Sequence, residues 1–169
     1  RLEFLKEFLM NVKPNKKKFL PLLIKGHTSC IKAKIIIKKP SAQMISAATL
    51  AGISSFGETI IECPNNVRDH TSRLLKHLGY SIKTQNKKKK QFIKILGKQF
   101  LKPIKDYKIP SDISSSAFLI SIAILTRGSD IRIKNVCLNP NRIGFIKILK
   151  KMGANIKFKD VKQYYGCLL

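Results

Sequence analysis

Two segments of this chain are apolar nearly all round. Ile45–Ile53 and Ala117–Leu125 hold no charged residue, so each predicts a helix for an interior, packed on other helices. A glycine and a short strand-like run follow each of them. These are Gly57 with Glu58-Thr59-Ile60-Ile61-Glu62, and Gly128 with Asp130-Ile131-Arg132-Ile133-Lys134. Two further segments are amphipathic. One begins at Arg68 and carries Arg73 and Lys76; the other begins at Arg142 and carries Lys147, Lys150 and Lys151. Gly79 and Gly153 come next, where a left-handed residue is expected to close the last helical turn.

The same order of elements therefore occurs twice. Pro40-Ser41-Ala42-Gln43 stands before the first apolar helix and Pro110-Ser111-Asp112-Ile113 before the second. Gly79 lies eleven positions after Arg68, and Gly153 the same distance after Arg142. The offset is 70 residues at the two prolines and 74 at the two arginines, too long for a solenoid unit and right for a small α/β module. Each module reads strand, helix, strand, helix, strand, strand. Phe4–Phe8 with Asn11–Lys13 looks like the end of an earlier copy, and Phe19–Gly26 matches Gln91–Gly97. Tyr164–Leu169 matches nothing in the repeat. The sequence opens at Arg1 inside an apparent helix and stops before a repeat is complete, so we expect a piece of a longer protein, with buried helices inside and sheets outside.

Composition changes this picture little. The net charge of +25 would by itself suggest a polyanion partner. Only six of the 34 basic residues are Arg, however, and there is no Trp. Lys spread among Ile and Asn reads as filler at ordinary solvated positions. The densest runs, Lys16–Lys18 and Lys87–Lys90, each precede a short apolar strand and are expected to be exposed turns. No apolar run is long enough to span a bilayer, and no signal-peptide pattern is present. Cys30, Cys63, Cys137 and Cys167 lack C-x-x-C spacing, which argues against zinc or a redox motif and fits free thiols in the cytoplasm.

Two places could carry chemistry. At Ser41-Ala42-Gln43 a helix start offers backbone N–H groups without intrahelical partners, the positive end of the macrodipole, a hydroxyl and an amide. That combination suits a phosphate, although a Ser here can equally be a plain N-cap. Arg68-Asp69-His70-Thr71 offers a guanidinium, the natural group for bidentate recognition of phosphate or carboxylate. Asp69 or Thr71 could also cap the helix that follows, and His70 could be a surface residue. No second His, Cys or carboxylate lies at ligand spacing, so no metal is expected. A Gly-rich phosphate loop, a nucleophile elbow and a Ser/His/Asp set are all absent from the sequence.

At these residues the chain resembles a known family. Ser41-Ala42-Gln43, Leu50-Ala51-Gly52, Gly57-Glu58-Thr59, Arg68-Asp69-His70-Thr71, Asp112-Ile113-Ser114-Ser115, Asn139-Pro140-Asn141-Arg142 with Gly144, and Met152-Gly153-Ala154-Asn155 look like successive signatures of the 5-enolpyruvylshikimate-3-phosphate synthases. The likeness runs from Leu20 to about Lys159 and is to the bacterial subclass with Ser-Ala-Gln. It implies transfer of an enolpyruvyl group from phosphoenolpyruvate to shikimate 3-phosphate on the way to chorismate. It also implies that no metal or organic cofactor is needed, and that the parent is a monomer with no specific nucleic-acid or membrane partner.

The implied fold is α/β, two domains each built from βαβαββ units around a central cleft. Residues 1–109 would belong to one domain and 110–169 to the other, with Ser111 where the family has Gly. The resemblance assigns Ser41, Ala42, Gln43 and Arg68 to shikimate 3-phosphate and Gln43 also to phosphoenolpyruvate. It puts the catalytic residues outside this chain, which is therefore expected to be inactive alone. One rival reading is the sister enzyme acting on UDP-N-acetylglucosamine, but none of Cys30, Cys63 and Cys137 matches its nucleophile. Another is a basic RNA-binding module, which rests on charge alone and lacks stacking aromatics.

Overall fold

The computed structural model describes residues 3–8, 11–14, 21–26, 31–104, 106–165 and 167–169. Lys16–Lys18 and Cys30 lie outside them. The chain divides into two compact units, Arg1–Pro103 and Ile104–Leu169.

The first unit opens with a 3-10 helix, Glu3–Phe8, whose Phe4 and Phe8 are buried. Strands β1 (Asn11–Pro14) and β2 (Leu22–Lys25) form an antiparallel pair. A complete module follows: β3 (Lys34–Ile36), α1 (Ala42–Ser54), β4 (Glu58–Pro64), α2 (His70–His77), β5 (Ile82–Lys87) and β6 (Lys90–Leu96). Its sheet has the order β3-β4-β6-β5. β3 and β4 are parallel and need the α1 crossover between them, whereas β6 runs antiparallel to both β4 and β5. Lys88 and Lys89 make the two-residue turn of the β5–β6 hairpin, with Lys88 at φ 55. The run Lys87–Lys90 is exposed, as its polarity predicts.

Alternation puts Thr59, Ile61 and Cys63 of β4 beside Ile93 and Ile95 of β6 on one buried face. α1 packs there through Ile45, Ala48, Thr49 and Gly52. Removing an Ile-sized side chain from water stabilises by about 1.5–3 kcal/mol, so this face dominates the unit. Burial, and next the charge of Glu62, push the Cys63 thiol up to about 11. Two glycines allow the close packing. A Cβ on Gly52 would stand 3.2 Å from the Thr59 Cβ, and one on Gly97 would stand 1.8 Å from the Ser55 carbonyl oxygen. Gly97 N–H donates to Gly57 O at 2.9 Å and Lys98 N–H to Ile53 O at 2.9 Å. The end of α1 is thereby tied to the end of the sheet.

The second unit holds α3 (Ile113–Leu125), α4 (Gly144–Lys151) and a short hairpin of β7 (Gln163–Tyr164) and β8 (Cys167–Leu168). The two amphipathic helices end alike. Gly79 has φ +83 and Gly153 φ +95. Gly79 N–H donates to Lys76 O and Tyr80 N–H to Leu75 O, while Gly153 N–H donates to Lys150 O and Ala154 N–H to Leu149 O. Both are Schellman closures, as the paired glycines predict.

Two expectations fail in this unit. Asp130–Lys134 is not a strand, and neither is the stretch after Gly153; only the single parallel bridge Ser111–Val136 remains. Their counterparts β4 and β5 each pair with β6, but among the described residues no segment pairs with 130–134. The last residues fold on themselves as β7 and β8. Nor is α3 interior: Ile113 and Ser116 are buried, whereas Phe118 is 76% exposed, Ile122 61% and Leu125 84%. A uniformly apolar helix has no preferred inward face, so it buries only what its neighbours cover. The unmatched tyrosines have a local role. Tyr107, Tyr164 and Tyr165 pack with ring centroids 4.5–5.9 Å apart, and the Tyr164 hydroxyl accepts from Lys108 N–H at 2.9 Å. No helix among the described residues is long and apolar enough to cross a membrane.

Candidate functional site

α1 begins at Ser41, an extended N-cap residue at φ −146 and ψ 107. Its Oγ accepts from Met44 N–H at 3.4 Å and donates to Gln43 Oε1 at 3.4 Å. Both bonds are long, so the cap is weak. The first turn holds no acidic residue, so no carboxylate of the helix offsets the positive end of its dipole.

Some 25 residues later the chain passes this helix again. Asn65 anchors the descent from β4: its Nδ2 donates to Lys88 O at 2.9 Å, and its backbone N–H to Lys89 O at 3.2 Å. Asp69 stands at the N-cap of α2, but its side chain makes no capping bond; its carboxylate accepts from Arg73 Nε at 2.8 Å instead. Thr71 Oγ1 and Ser46 Oγ lie 2.7 Å apart and hydrogen-bond, joining α2 to α1. Arg68 is exposed, and its guanidinium forms no hydrogen bond or ion pair with another described residue.

Together these segments border an open hollow of about 270 Å³ lined by Ala42, Gln43, Ser46, Arg68, His70 and Thr71. Three of the four residues singled out in the sequence, Ala42, Gln43 and Arg68, thus come together, while Ser41 caps the helix beside them. The sequence does not single out Ser46, a hydroxyl in a largely apolar helix, although it lies three residues from Gln43 and so on the same side of the helix. Thr71 reads from sequence as a cap, yet it bonds across to α1. Among the described residues no group of His, Cys, Asp and Glu is arranged to hold a metal ion.

The second unit uses its arginine differently. The Asp112 carboxylate caps α3 by accepting from Ser115 N–H at 3.2 Å, and it pairs with Arg142 at 2.9 Å. The Arg142 guanidinium also donates to Ser114 Oγ. Slight desolvation opposes ionisation of Asp112. The N–H groups of Ser114 and Ser115, then Arg142 and the Ser115 hydroxyl, outweigh it and hold the carboxyl below its ordinary value. Arg142 is committed inside the unit, whereas Arg68 faces the solvent.

Fold and hollow together define an α/β protein in which an arginine and a helix start border one hollow. The model of the EPSP synthase (3-phosphoshikimate 1-carboxyvinyltransferase) family matches residues 2–165, and the chain belongs to that family of transferases. A 3-phosphoshikimate 1-carboxyvinyltransferase of Caldicellulosiruptor bescii is 42% identical over 154 residues, covering 91% of this chain and 35% of the relative. One of Paracoccus denitrificans is 37% identical over 149 residues, covering 88% and 33%. The solved EPSP synthase of Acinetobacter baumannii superposes with a TM-score of 0.82 at 33% identity, covering 97% of this chain and 36% of that one. The chain spans about a third of the length of these relatives. They bear the shikimate enzyme's name, not that of the sister enzyme for UDP-N-acetylglucosamine.

Proposed function

We propose that the hollow is part of a shikimate 3-phosphate site, and that the chain is a section of an enzyme that moves the enolpyruvyl group of phosphoenolpyruvate onto that substrate. The observation that carries the reading is the convergence of Ala42, Gln43 and Arg68 on one hollow from segments 25 residues apart. In this reading the start of α1, with Ser41 and Ala42, holds the 3-phosphate. Arg68 approaches the shikimate moiety, and Gln43 reaches toward both it and phosphoenolpyruvate. Each charge-assisted hydrogen bond contributes about 1.5–3 kcal/mol, so a few convergent donors suffice for measurable affinity. We assign no general acid or base to the hollow and expect the 169-residue chain to bind without turnover. A monomeric, cytoplasmic parent whose chain crosses between domains near Pro110 belongs to the same proposal.

The test is calorimetric titration of the chain with shikimate 3-phosphate, beside unphosphorylated shikimate and an Arg68→Ala variant. The expected result is phosphate-dependent binding that weakens by about 1.5–3 kcal/mol in the variant. Equal binding of shikimate and its phosphate, or indifference to Arg68, would refute the assignment.

A further inference from the structure

The Ser46–Thr71 hydrogen bond raises a question that the ligand assignment leaves open: what holds Arg68 over the hollow. α1 is fixed by the core through Ile45, Ala48 and Thr49. Arg68 lies in the stretch that leads from β4 to α2, and its side chain has no hydrogen-bond or ion-pair partner among the described residues. Hydrogen bonds tie that stretch near both ends, and between them Val67 packs against the core. At one end Asn65 holds the carbonyls of Lys88 and Lys89; at the other Thr71 meets Ser46 at 2.7 Å. Arg68 is midway between them. Ser46 follows Gln43 by three residues on one side of α1, and Thr71 follows Arg68 by three. Both hydroxyls are partly buried and line the hollow, and Thr71 is β-branched, so its hydroxyl has few rotamers to lose.

We propose that the Ser46–Thr71 hydroxyl pair is a positioning clasp, which holds Arg68 and Gln43 at one separation so that both engage the same phosphorylated substrate. The clasp rests on the reading of the hollow as a shikimate 3-phosphate site. It makes Ser46 and Thr71 determinants of affinity that act through Arg68 and Gln43, not by touching the ligand.

Two readouts on the 169-residue chain test this. In titrations with shikimate 3-phosphate, Ser46→Ala and Thr71→Val should each weaken binding about threefold to tenfold, the worth of one ordinary hydrogen bond. Ser46→Thr, which keeps a hydroxyl, should bind as the wild type does. Either clasp variant combined with Arg68→Ala should lose less than the two single losses predict, because a misplaced arginine has less to give. Separately, without ligand, amide hydrogen exchange should quicken across residues 65–71 in the clasp variants and stay unchanged in β4 and β6. Wild-type affinity in the clasp variants, losses that simply add to that of Arg68→Ala, or unchanged exchange across residues 65–71 would each overturn the clasp. If the wild-type chain itself fails to bind, the substrate assignment falls, and exchange alone decides whether the clasp orders this stretch.

Discussion

The two copies of the module share their helices and helix closures but not their sheet. In the first copy, Glu58–Pro64 is hydrogen-bonded on both sides, to β3 and to β6, and α1 lies on the face so formed. In the second, the equivalent Asp130–Lys134 has no ladder, and most of the large apolar side chains of α3 face solvent. The contrast separates two kinds of information in a sequence. A helix satisfies its own backbone and needs nothing beyond itself to be recognisable. A strand states only a preference, and the preference is realised when a second strand arrives.

The comparison breaks most sharply at the glycines. Gly97→Ala would drive a Cβ to 1.8 Å from a backbone oxygen of Ser55, with no flexible side chain able to yield. We expect a loss of about 4 kcal/mol or more, seen in urea denaturation as failure of the first unit to fold. Gly128→Ala in the second unit meets nothing within 4 Å, and only its φ of +78 opposes it; the expected cost is about 1 kcal/mol. Comparable costs at the two positions would mean that the sheet of the first unit tolerates displacement from α1.

A smaller effect separates the strand of one copy from the matching residues of the other. Ile61 is fully buried, and Ile61→Ala should cost about 2–5 kcal/mol. Its counterpart Ile133 is half-buried and unpaired in any ladder; Ile133→Ala should cost about 1 kcal/mol or less. Local stabilities from hydrogen exchange would measure both, and similar values would show that residues 130–134 are packed as firmly as β4.

The mildest test is acid. The Asp112 carboxyl titrates below its ordinary value of 3.8 in the folded chain, so its contribution to the second unit is complete above that value. It disappears as the pH falls through the lower folded-state value. Protection of the first turn of α3 should therefore fade at the acid end. In Asp112→Asn it should be weak at neutral pH already and change little on acidification. A variant as protected as the wild type at neutral pH would remove Asp112 from the account of how α3 begins.

Much of this molecule is legible before any coordinates. The four α-helices of the described residues, the paired Gly79 and Gly153 closures and the exposed turn at Lys87–Lys90 all follow from local chemistry, which carries its cause within a few residues. Arg68 and the start of α1 are legible as candidates for an anion, but equally as a solvated arginine and a plain N-cap, and only the hollow brings them together. The Ser46–Thr71 bond is not legible, since it joins residues 25 apart whose hydroxyls each have an ordinary local reading. The exposure of α3 is hidden for a different reason. Phe118, Ile122 and Leu125 state how much apolar surface the helix carries, but not which of it will be covered.

The anchor at Asn65 bears on how such a chain can change over generations. It grips the tip of the β5–β6 hairpin through the carbonyl oxygens of Lys88 and Lys89, atoms that every amino acid supplies. The side chains there can change, within what the left-handed backbone at Lys88 (φ 55) allows, while the hold on the Arg68 segment persists. Asn65 has less latitude, because its side-chain amide makes the bond to Lys88 O, although its backbone N–H makes the one to Lys89 O.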